Sequence, residues 1–372
     1  MPSPAVGYAA KSKRSDLKPL AFQRRDLGPN DVAIDIQFCG VCHSDIHQVR
    51  DEWDNTVWPC LPGHEIVGRV AAVGAAVTAH RAGDVVAVGC MVDSCRQCSA
   101  CREGLEQYCE GPHAWTATYN GPMKPDGSNT FGGYSDHVVV AEQFVLRVPA
   151  SLAGAGNAGL ASVAPLLCSA VTTYSPMRHW KVGPGQTVGV VGLGGLGHIA
   201  VKLANALGAR VVVFTTSKKE KEEDARRFGA SEVVDSTDKK AMQAHANALD
   251  FVLDTIPETH DVNPYVELLK RDGTVALVGV LGPLKTPTDN QQVAFHRRSV
   301  AGSLIGGIAE TQEVLDFCAE HGITSEVEVI PIQQVNDAYD KVVDKKVRYR
   351  YVIDLATLAD DRDDATGDGQ VA

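Results

Sequence analysis

Residues 187–208 of this 372-residue chain read TVGVVGLGGLGHIAVKLANALG and decide how its second half folds. A short apolar strand, TVGVV, leads into a G-x-G-x-x-G pattern, and a helical pattern, HIAVKLANAL, follows it. The glycines permit a tight turn and a close approach of the backbone to a pyrophosphate at the helix N-terminus. The strand before and the helix after this pattern predict a dinucleotide-binding turn. Its predicted cofactor-binding residues are Gly192, Leu193, Gly194, Gly195, Leu196 and Gly197.

The pattern of strands and helices on either side of this turn predicts two domains. From about Thr187, six apolar strands alternate with helical stretches, which is typical of a parallel doubly wound sheet in the α/β class. From Val32 to about Val148, short β-rich runs separated by Gly, Pro and Asp predict a mostly β unit. A helix and a strand after Gly307 lie beyond the six strands, and we expect them to return to the β unit. The predicted domains are 1–158 with 306–357, and 159–305, followed by a disordered acidic tail, 358–372.

Composition excludes several classes of partner. The chain has 35 Lys and Arg against 46 Asp and Glu, a net charge of −11, whereas nucleic acids and anionic membranes are bound mainly by basic surfaces. It contains no run of 18 apolar residues and no signal-peptide pattern in its first residues, so we expect a cytoplasmic protein with no membrane partner. In a reducing compartment, clustered thiols among its ten Cys indicate metal ligands.

Four cysteines stand within one short loop, in the pattern C-x2-C-x2-C-x7-C. Four thiolates at this spacing can close around one ion, and a tetrahedral zinc with no open position would be structural. An iron–sulfur cluster also takes four cysteines but at other spacings, and four unrelated buried thiols are the remaining alternative. The predicted ligands are Cys95, Cys98, Cys101 and Cys109.

A second candidate metal site combines two short segments, CHSD at 42–45 and PGHE at 62–65. Cysteine, histidine and carboxylate all bind zinc, and a site with three protein ligands keeps a position for water or substrate. Cys42 could instead pack as a small apolar side chain, and His64 could be solvated. Local spacing leaves the third ligand open among Cys39, Cys60, Cys90 and Cys168.

The end of the second strand of the α/β half bears on cofactor choice. NAD-binding proteins place Asp or Glu on the ribose 2′-hydroxyl about 20 residues after the glycine pattern. Here the strand RVVVF is followed by TTSKK, with no carboxylate before Glu220. A solvated basic helix start is the alternative, but cations oppose the dipole at a helix N-terminus, so a 2′-phosphate and NADP(H) are favoured. The residues concerned are Thr215, Thr216, Ser217, Lys218 and Lys219.

Several motifs resemble one enzyme family along residues 8–355. GHEIVGRVAAVGAAV at 63–77 looks like the signature of zinc-containing medium-chain alcohol dehydrogenases, and the four-cysteine loop lies where that family carries its structural zinc. CGVCHSDIHQ, the GLGGLG turn and AGSLIGGIAETQEVLDF resemble its cinnamyl alcohol dehydrogenase branch, which includes bacterial broad-specificity aldehyde reductases. The resemblance implies a GroES-like catalytic domain and a Rossmann cofactor domain.

The resemblance also implies roles for single residues of the candidate catalytic site. Cys42, His64 and Cys168 would hold a catalytic zinc, and Glu65 can occupy the metal when water has left. Asp45 would accept the ring N–H of His64 and fix which nitrogen faces the metal.

A proton path is implied beside these ligands. Ser44 would sit beside the reacting oxygen, and His47 would pass its proton to solvent. Glu52 stands where the family usually has Asp, so the last step of the relay differs from the family pattern. The resemblance further implies that the cofactor is lined by Thr172, Thr255, Gly279, Ser303, Leu304 and Ile305. It implies a substrate pocket walled by Cys90, Trp115 and Leu304.

Together these features predict an oxidoreductase, a zinc-dependent and NADP(H)-dependent alcohol dehydrogenase or aldehyde reductase (EC 1.1.1.-) that moves hydride reversibly between NADPH and an aromatic or medium-chain aliphatic aldehyde. The apolar strand SVAGSLIGG is a candidate pairing edge for a homodimer. A polyol or secondary-alcohol dehydrogenase is the nearest alternative among enzymes. A non-catalytic protein that binds zinc and a nucleotide on the same fold is the alternative from another class.

Overall fold

The structure, a computed structural model, describes residues 3–112, 114–121, 129–154, 156–279 and 281–361. Its strands are β1 (Ser3–Ala9), β2 (Lys18–Arg24), β3 (Asp31–Gly40), β4 (Ile66–Val73), β5 (Val85–Val88), β6 (Met91–Asp93), β7 (Thr116–Ala117), β8 (His137–Ala141), β9 (Leu146–Arg147), β10 (Thr187–Val191), β11 (Arg210–Thr215), β12 (Glu232–Asp235), β13 (Leu249–Asp254), β14 (Leu269–Leu277), β15 (Ser299–Gly302), β16 (Val327–Pro331) and β17 (Arg350–Asp354).

Its α-helices are α1 (His43–Val49), α2 (Ser99–Arg102), α3 (Ala150–Ala153), α4 (Gly156–Val163), α5 (Val171–His179), α6 (Gly197–Ala206), α7 (Lys218–Arg227), α8 (Lys239–Gln243), α9 (Asn263–Val266), α10 (Asn290–His296), α11 (Ile308–His321) and α12 (Val335–Val343). A π-helical turn covers Leu166–Ala170. Four 3-10 helices cover Glu106–Tyr108, Glu142–Phe144, Ile332–Gln334 and Leu355–Asp361.

The second of two compact units, residues 169–305 with 320–323, contains a six-stranded sheet in the order β12-β11-β10-β13-β14-β15. Every neighbouring pair is parallel, which confirms the predicted doubly wound sheet. Consecutive residues of β10 and β11 are buried, as in a sheet covered on both faces. Phe214, Leu249, Val252 and Val275 belong to its core. The strand order reverses between β10 and β13, so the glycine-rich turn lies at the switch point where such sheets bind ligands.

The first unit, residues up to 168, 306–319 and from 324 onward, is the mostly β half. Its main sheet runs β16-β17-β3-β4-β5-β9, with β8 also paired to β3. β3 is central, because it pairs antiparallel with β4, β8 and β17. Cys39 on β3 pairs with Ile66 at the start of β4. The residues that follow β3 and those that precede β4 are thereby brought to the same edge of the sheet.

The division between the units differs from the predicted one at residue 158. The first unit extends to Cys168, because the helical segment that carries this residue packs beside Cys42. α11 up to Ala319 and β17 both belong to the first unit, whereas residues 320–323 belong to the second.

The predicted disordered tail is wrong for residues 358–361. These residues complete the 3-10 helix Leu355–Asp361, in which Leu358 is buried and Asp361 accepts a 2.8 Å hydrogen bond from the Tyr8 hydroxyl. The many Asp residues of this tail led to the prediction of disorder, although the buried apolar side chain of Leu358 precedes them. The rest of the predicted tail, residues 362–372, lies outside the described residues.

One helical stretch in the described ranges, Gly156–His179, is long and apolar enough to cross a membrane. Of its most apolar window, 83% is buried inside the protein. Such burial is typical of a core helix, whose apolar residues are covered by protein rather than by lipid.

Candidate functional site

Four potential metal-binding side chains meet in the first unit: Cys42, His64, Glu65 and Cys168. All their ligand atoms lie within 4.8 Å of one another, and all four residues are buried. Cys42 follows β3 and caps the N-terminus of α1, while His64 and Glu65 directly precede β4. Cys168 lies in the π-helical turn, a local irregularity that often occurs at functional sites. Of the four cysteines left open as the third ligand, the structure thus brings Cys168 to Cys42 and His64.

The Asp45 carboxylate, which has no exposed surface, orients this group. Its Oδ1 accepts hydrogen bonds from His64 Nδ1 (3.0 Å) and Gly63 N (3.2 Å), and its Oδ2 accepts from Cys42 N (2.9 Å) and the Tyr134 hydroxyl (3.2 Å). Because Nδ1 is engaged, His64 has Nε2 available for a metal. Burial alone would lower the pKa of His64, but the charge of Asp45 and its hydrogen bond hold that pKa well above its ordinary value.

The two thiols of the site form a pair with Sγ atoms 3.9 Å apart. The hydrogen bond from Cys168, together with His64, holds the pKa of Cys42 well below its ordinary value despite burial. The same bond raises the pKa of Cys168. A lowered pKa favours the thiolate of Cys42, the form that binds metals. Two sulfur donors, one imidazole and an adjacent carboxylate form a donor set that fits zinc with one open position.

Glu65 forms a buried ion pair that sequence reasoning missed. Arg350 on β17 donates from Nη2 to Glu65 Oε1 (2.5 Å) and to the carbonyl of Val41 (2.9 Å). Burial raises the pKa of Glu65 to about 7, and the Arg350 charge opposes that rise. Gly40 leaves room for the carboxylate, because a Cβ at that position would lie 1.8 Å from Glu65 Oε2. A charged residue in the apolar strand YRYVIDL was the available signal, but sequence does not reveal its partner.

The four cysteines of the loop between β6 and β7 also converge, with Sγ atoms within 4.8 Å of one another. Backbone N–H groups of Gln97 and Cys98 point at Cys95 Sγ (3.5 and 3.3 Å) and lower the pKa of that thiol to about 6. Glu110 N likewise donates to Cys98 Sγ (3.4 Å). N–H donors stabilise thiolates, so this loop fits a four-sulfur zinc site with no open position. The cluster consists of Cys95, Cys98, Cys101 and Cys109.

The residues of the predicted proton path lie on and after α1. Ser44 and His47 are three residues apart and therefore share one face of the helix. His47 Nδ1 lies 2.5 Å from Glu52 Oε2, so the Glu52 side chain reaches the histidine. The His43 ring lies 4.7 Å from that of His47.

The remaining cysteines near this site lie outside the four-residue group. Cys90 donates to the carbonyl of Leu167 (3.8 Å) and contacts Cys168. Cys39 and Cys60 are buried, and burial raises the pKa of Cys60 to about 12. Of the predicted substrate-pocket residues, Trp115 and Cys90 belong to the first unit and Leu304 to the second.

In the second unit, the glycine-rich turn has the geometry that a dinucleotide requires. Gly192 has φ 87°, where only glycine is unstrained, and a Cβ on Gly197 would lie 2.1 Å from the Gly192 carbonyl oxygen. A Cβ on Gly194 would meet no atom within 4 Å, which leaves its backbone open to a ligand. Lys221 donates to the Leu193 carbonyl (2.8 Å) and fixes the turn. Sequence reasoning missed Lys221, although it belongs to the same lysine cluster as Lys218.

Other predicted cofactor residues of the second unit differ in their surroundings. Thr172 Oγ1 is buried and has no hydrogen-bond partner among the described atoms, whereas Thr255 Oγ1 donates to Val191 O (2.7 Å). A Cβ on Gly279 would lie 2.3 Å from a backbone oxygen. Ser303 and Leu304 follow β15, and Ile305 has φ 37°, a strained value for a β-branched residue.

The segment predicted to bind a 2′-phosphate follows β11. Thr215 is buried and accepts a hydrogen bond from Ser217 N (3.2 Å). Ser217 is the N-cap residue directly before α7, and its side chain makes no capping hydrogen bond. Thr216 and Lys219 are exposed, and Lys218 is half-buried. The hydroxyls and ammonium groups needed for an anion thus lie together at one helix start.

Comparison with known proteins gives a consistent result. Residues 28–150 match the alcohol dehydrogenase GroES-like domain, and residues 195–320 match the zinc-binding dehydrogenase family. The chain is 52% identical to aldehyde reductase YahK of Escherichia coli over 96% of this chain and 99% of that protein. It is 48% identical to NADP-dependent alcohol dehydrogenase C of Mycobacterium tuberculosis over 96% of this chain and 100% of that protein.

Two solved structures of similar proteins cover nearly the whole chain. A cinnamyl alcohol dehydrogenase of Sorghum bicolor superposes with a TM-score of 0.89 at 43% identity, covering 95% of this chain and 98% of its own. The CAD of Helicobacter pylori complexed with NADP(H) superposes with a TM-score of 0.87 at 40% identity, covering 96% and 99%.

The buried ion pair of Arg350 and Glu65 yields a prediction about stability. Arg350→Met leaves the Glu65 carboxylate buried without its cation, so we expect the free energy of unfolding to fall by about 3 kcal/mol. Urea denaturation at pH 7 measures it. Combining Arg350→Met with Glu65→Gln removes both charges and should restore most of the loss. A single variant as stable as the parent chain would contradict this role for the pair.

Proposed function

This chain belongs to the zinc-containing medium-chain alcohol dehydrogenase family, and we propose that it reduces aldehydes reversibly with NADPH. The observation that carries the proposal is the buried group of Cys42, His64 and Cys168, with Asp45 on the far nitrogen of the histidine ring. These three residues would hold a catalytic zinc ion, with Glu65 as the adjacent carboxylate. When bound there, zinc supplies a Lewis acid that polarises the carbonyl oxygen and favours hydride addition at its carbon.

The chain's own residues move the proton that completes reduction. Bound NADPH would supply the hydride for the aldehyde carbon, and a proton taken up by the oxygen would complete the alcohol and leave NADP⁺. Ser44 is the proton donor, and His47 replaces the proton that Ser44 gives up. Glu52 holds His47 Nδ1 and leaves Nε2 for Ser44 and solvent. Burial of the metal-binding side chains keeps water from competing for the reactive centre.

NADP(H) is the proposed cofactor. The open backbone at Gly194 and the start of α6 would receive its pyrophosphate, and the hydroxyls and lysines at 215–219 would bind its 2′-phosphate. The names of the mycobacterial relative and of the Helicobacter pylori structure, which include NADP, support this choice. The buried Thr172 hydroxyl, which needs a partner, supports a contact with the cofactor. The other proposed contacts are Thr255, Gly279, Ser303, Leu304 and Ile305.

The proposal includes a class of substrate and a second, structural zinc ion. Cys90 and Trp115, both in the first unit, would contact an aromatic or medium-chain aliphatic aldehyde, which their apolar surfaces suit. The name of the Escherichia coli relative, an aldehyde reductase, supports reduction as the direction. The four-cysteine loop would hold a structural zinc ion that shapes the segment between β6 and β7.

We also propose a cytoplasmic homodimer. The ten cysteines, all of which lie in the described ranges, form no disulfide with one another, which fits a reducing compartment. β15 is the last strand of the six-stranded sheet, its outer edge pairs with no other strand in the described ranges, and Phe295 in the preceding helix is 75% exposed. A mass of one chain in light scattering would contradict the dimer.

A steady-state assay of NADPH oxidation with a panel of aromatic, aliphatic and polyol-derived aldehydes tests the proposed function. We expect turnover with NADPH to exceed that with NADH at low cofactor concentration, and chelation of zinc to stop it. Cys42→Ala and His64→Ala should lower kcat by about a hundredfold or more, because losing a direct ligand weakens zinc binding at least as much as losing a ligand's partner, which costs roughly 10–100-fold. Both variants should still bind NADPH, as followed by nucleotide fluorescence.

Cys318→Ala is the matched control, because this buried cysteine lies outside both clusters and should retain activity. Full turnover by the His64→Ala variant, or no turnover by the parent chain with any aldehyde, would contradict the proposal. In the second case the chain would be a non-catalytic zinc and nucleotide binder.

A further inference from the structure

Tyr134 is linked to the metal-binding group through the carboxylate of Asp45. Its side chain is fully buried, and its hydroxyl donates to Asp45 Oδ2 (3.2 Å). The other three donors to this carboxylate are the backbone N–H groups of Cys42 and Gly63 and the ring of His64. Among the described residues, Tyr134 thus contributes the one donor to Asp45 that comes from outside the two metal-binding segments.

The loop that carries Tyr134 is held by a buried arginine. Arg24 on β2 donates to the carbonyls of Phe131 (2.6 Å), Gly132 (2.8 Å) and His137 (2.9 Å), and to Ser135 Oγ (2.7 Å). Bonds from a charged donor to carbonyl oxygens are strong where water is excluded. Arg24 therefore fixes the backbone on both sides of Tyr134.

The same loop is joined to the residues that precede His64. Gly132 N donates to the Leu61 carbonyl (2.8 Å) and Tyr134 N donates to that of Pro62 (3.1 Å). The Tyr134 ring also packs on Gly63, since a Cβ at this glycine would lie 2.6 Å from Tyr134 Cδ1. Both the backbone and the side chain of Tyr134 thus contact the residues that directly precede the metal ligand His64.

We infer that Tyr134 is a positioning residue, whose hydroxyl sets the orientation of the Asp45 carboxylate and through it the ring of the metal ligand His64. This inference rests on the proposed metal site at Cys42, His64 and Cys168. The torsion of a carboxylate about its last bond is soft, so the donors on Oδ2 determine where Oδ1 meets His64 Nδ1. Partners that orient a ligating histidine influence metal affinity by roughly 10–100-fold.

The test uses the variant Tyr134→Phe in the full chain loaded with ¹¹³Cd in place of zinc. Its ¹¹³Cd spectrum should show two signals, one from the four-cysteine loop and one from the site with two sulfurs and one nitrogen. We expect Tyr134→Phe to shift the second signal and to weaken metal binding there roughly tenfold in a chelator competition. The four-cysteine signal should stay in place, which serves as an internal control for folding.

Tyr265→Phe is the matched control. This tyrosine is also buried, but it belongs to the second unit, whereas both groups of metal-binding residues belong to the first. We therefore expect neither ¹¹³Cd signal to move in Tyr265→Phe.

Three outcomes would overturn the inference. In one, Tyr134→Phe melts at a lower temperature but keeps both signals and the metal affinity, as a purely structural residue would. In another, Tyr134→Phe fails to fold, which a hydroxyl acting only on Asp45 cannot explain. In the third, the parent chain itself shows the four-cysteine signal alone. That result would refute the proposed catalytic metal site as well, whereas the first two outcomes leave that site standing.

Discussion

A single carboxylate without exposed surface, that of Asp45, joins the segments that form the candidate catalytic site. It accepts hydrogen bonds from the N–H before α1, from the N–H before His64, from the His64 ring and from the Tyr134 hydroxyl. A buried carboxylate is costly unless its lone pairs are satisfied. The stability of this charge therefore depends on the same geometry that brings Cys42 and His64 together.

The two cysteine clusters differ in how the chain builds them. The four-cysteine loop is local: all its sulfurs come from residues 95–109, and backbone N–H groups of the loop stabilise its thiolates. The candidate catalytic group is assembled from three segments that are separate in the sequence: the β3–β4 pairing brings two of them to one edge of the sheet, the π-helical turn carries Cys168, and Arg350 pairs with Glu65. Its geometry therefore depends on contacts between segments of the first unit, whereas the four-cysteine group is built within residues 95–109.

The difference between local and long-range assembly explains which features could be predicted from the sequence. Patterns of neighbouring residues were sufficient to predict the six parallel strands, the glycine-rich turn and the four-cysteine loop. They left the third ligand open, because Cys168 reaches Cys42 only through the folded unit, and the family resemblance was needed to select it. Arg24, Tyr134 and Arg350 escaped notice for the same reason, since the partners of their side chains lie 107, 89 and 285 positions away, respectively. The tail was misjudged at residues 358–361 because its many Asp residues outweighed the single buried Leu358.

The most direct test of this account is the zinc content of the variant Asp45→Asn, measured by atomic emission on purified protein. All four partners of Asp45 donate hydrogen bonds to its carboxylate, two to each oxygen. In Asp45→Asn an NH₂ group, which cannot accept, replaces one of these oxygens, so two of the four hydrogen bonds are lost. The account predicts that the parent chain carries two zinc ions and the variant one, with the four-cysteine loop still filled. Asp35→Asn, which alters an exposed carboxylate on β3, should retain both ions. Two zinc ions and undiminished aldehyde reduction in Asp45→Asn would contradict it.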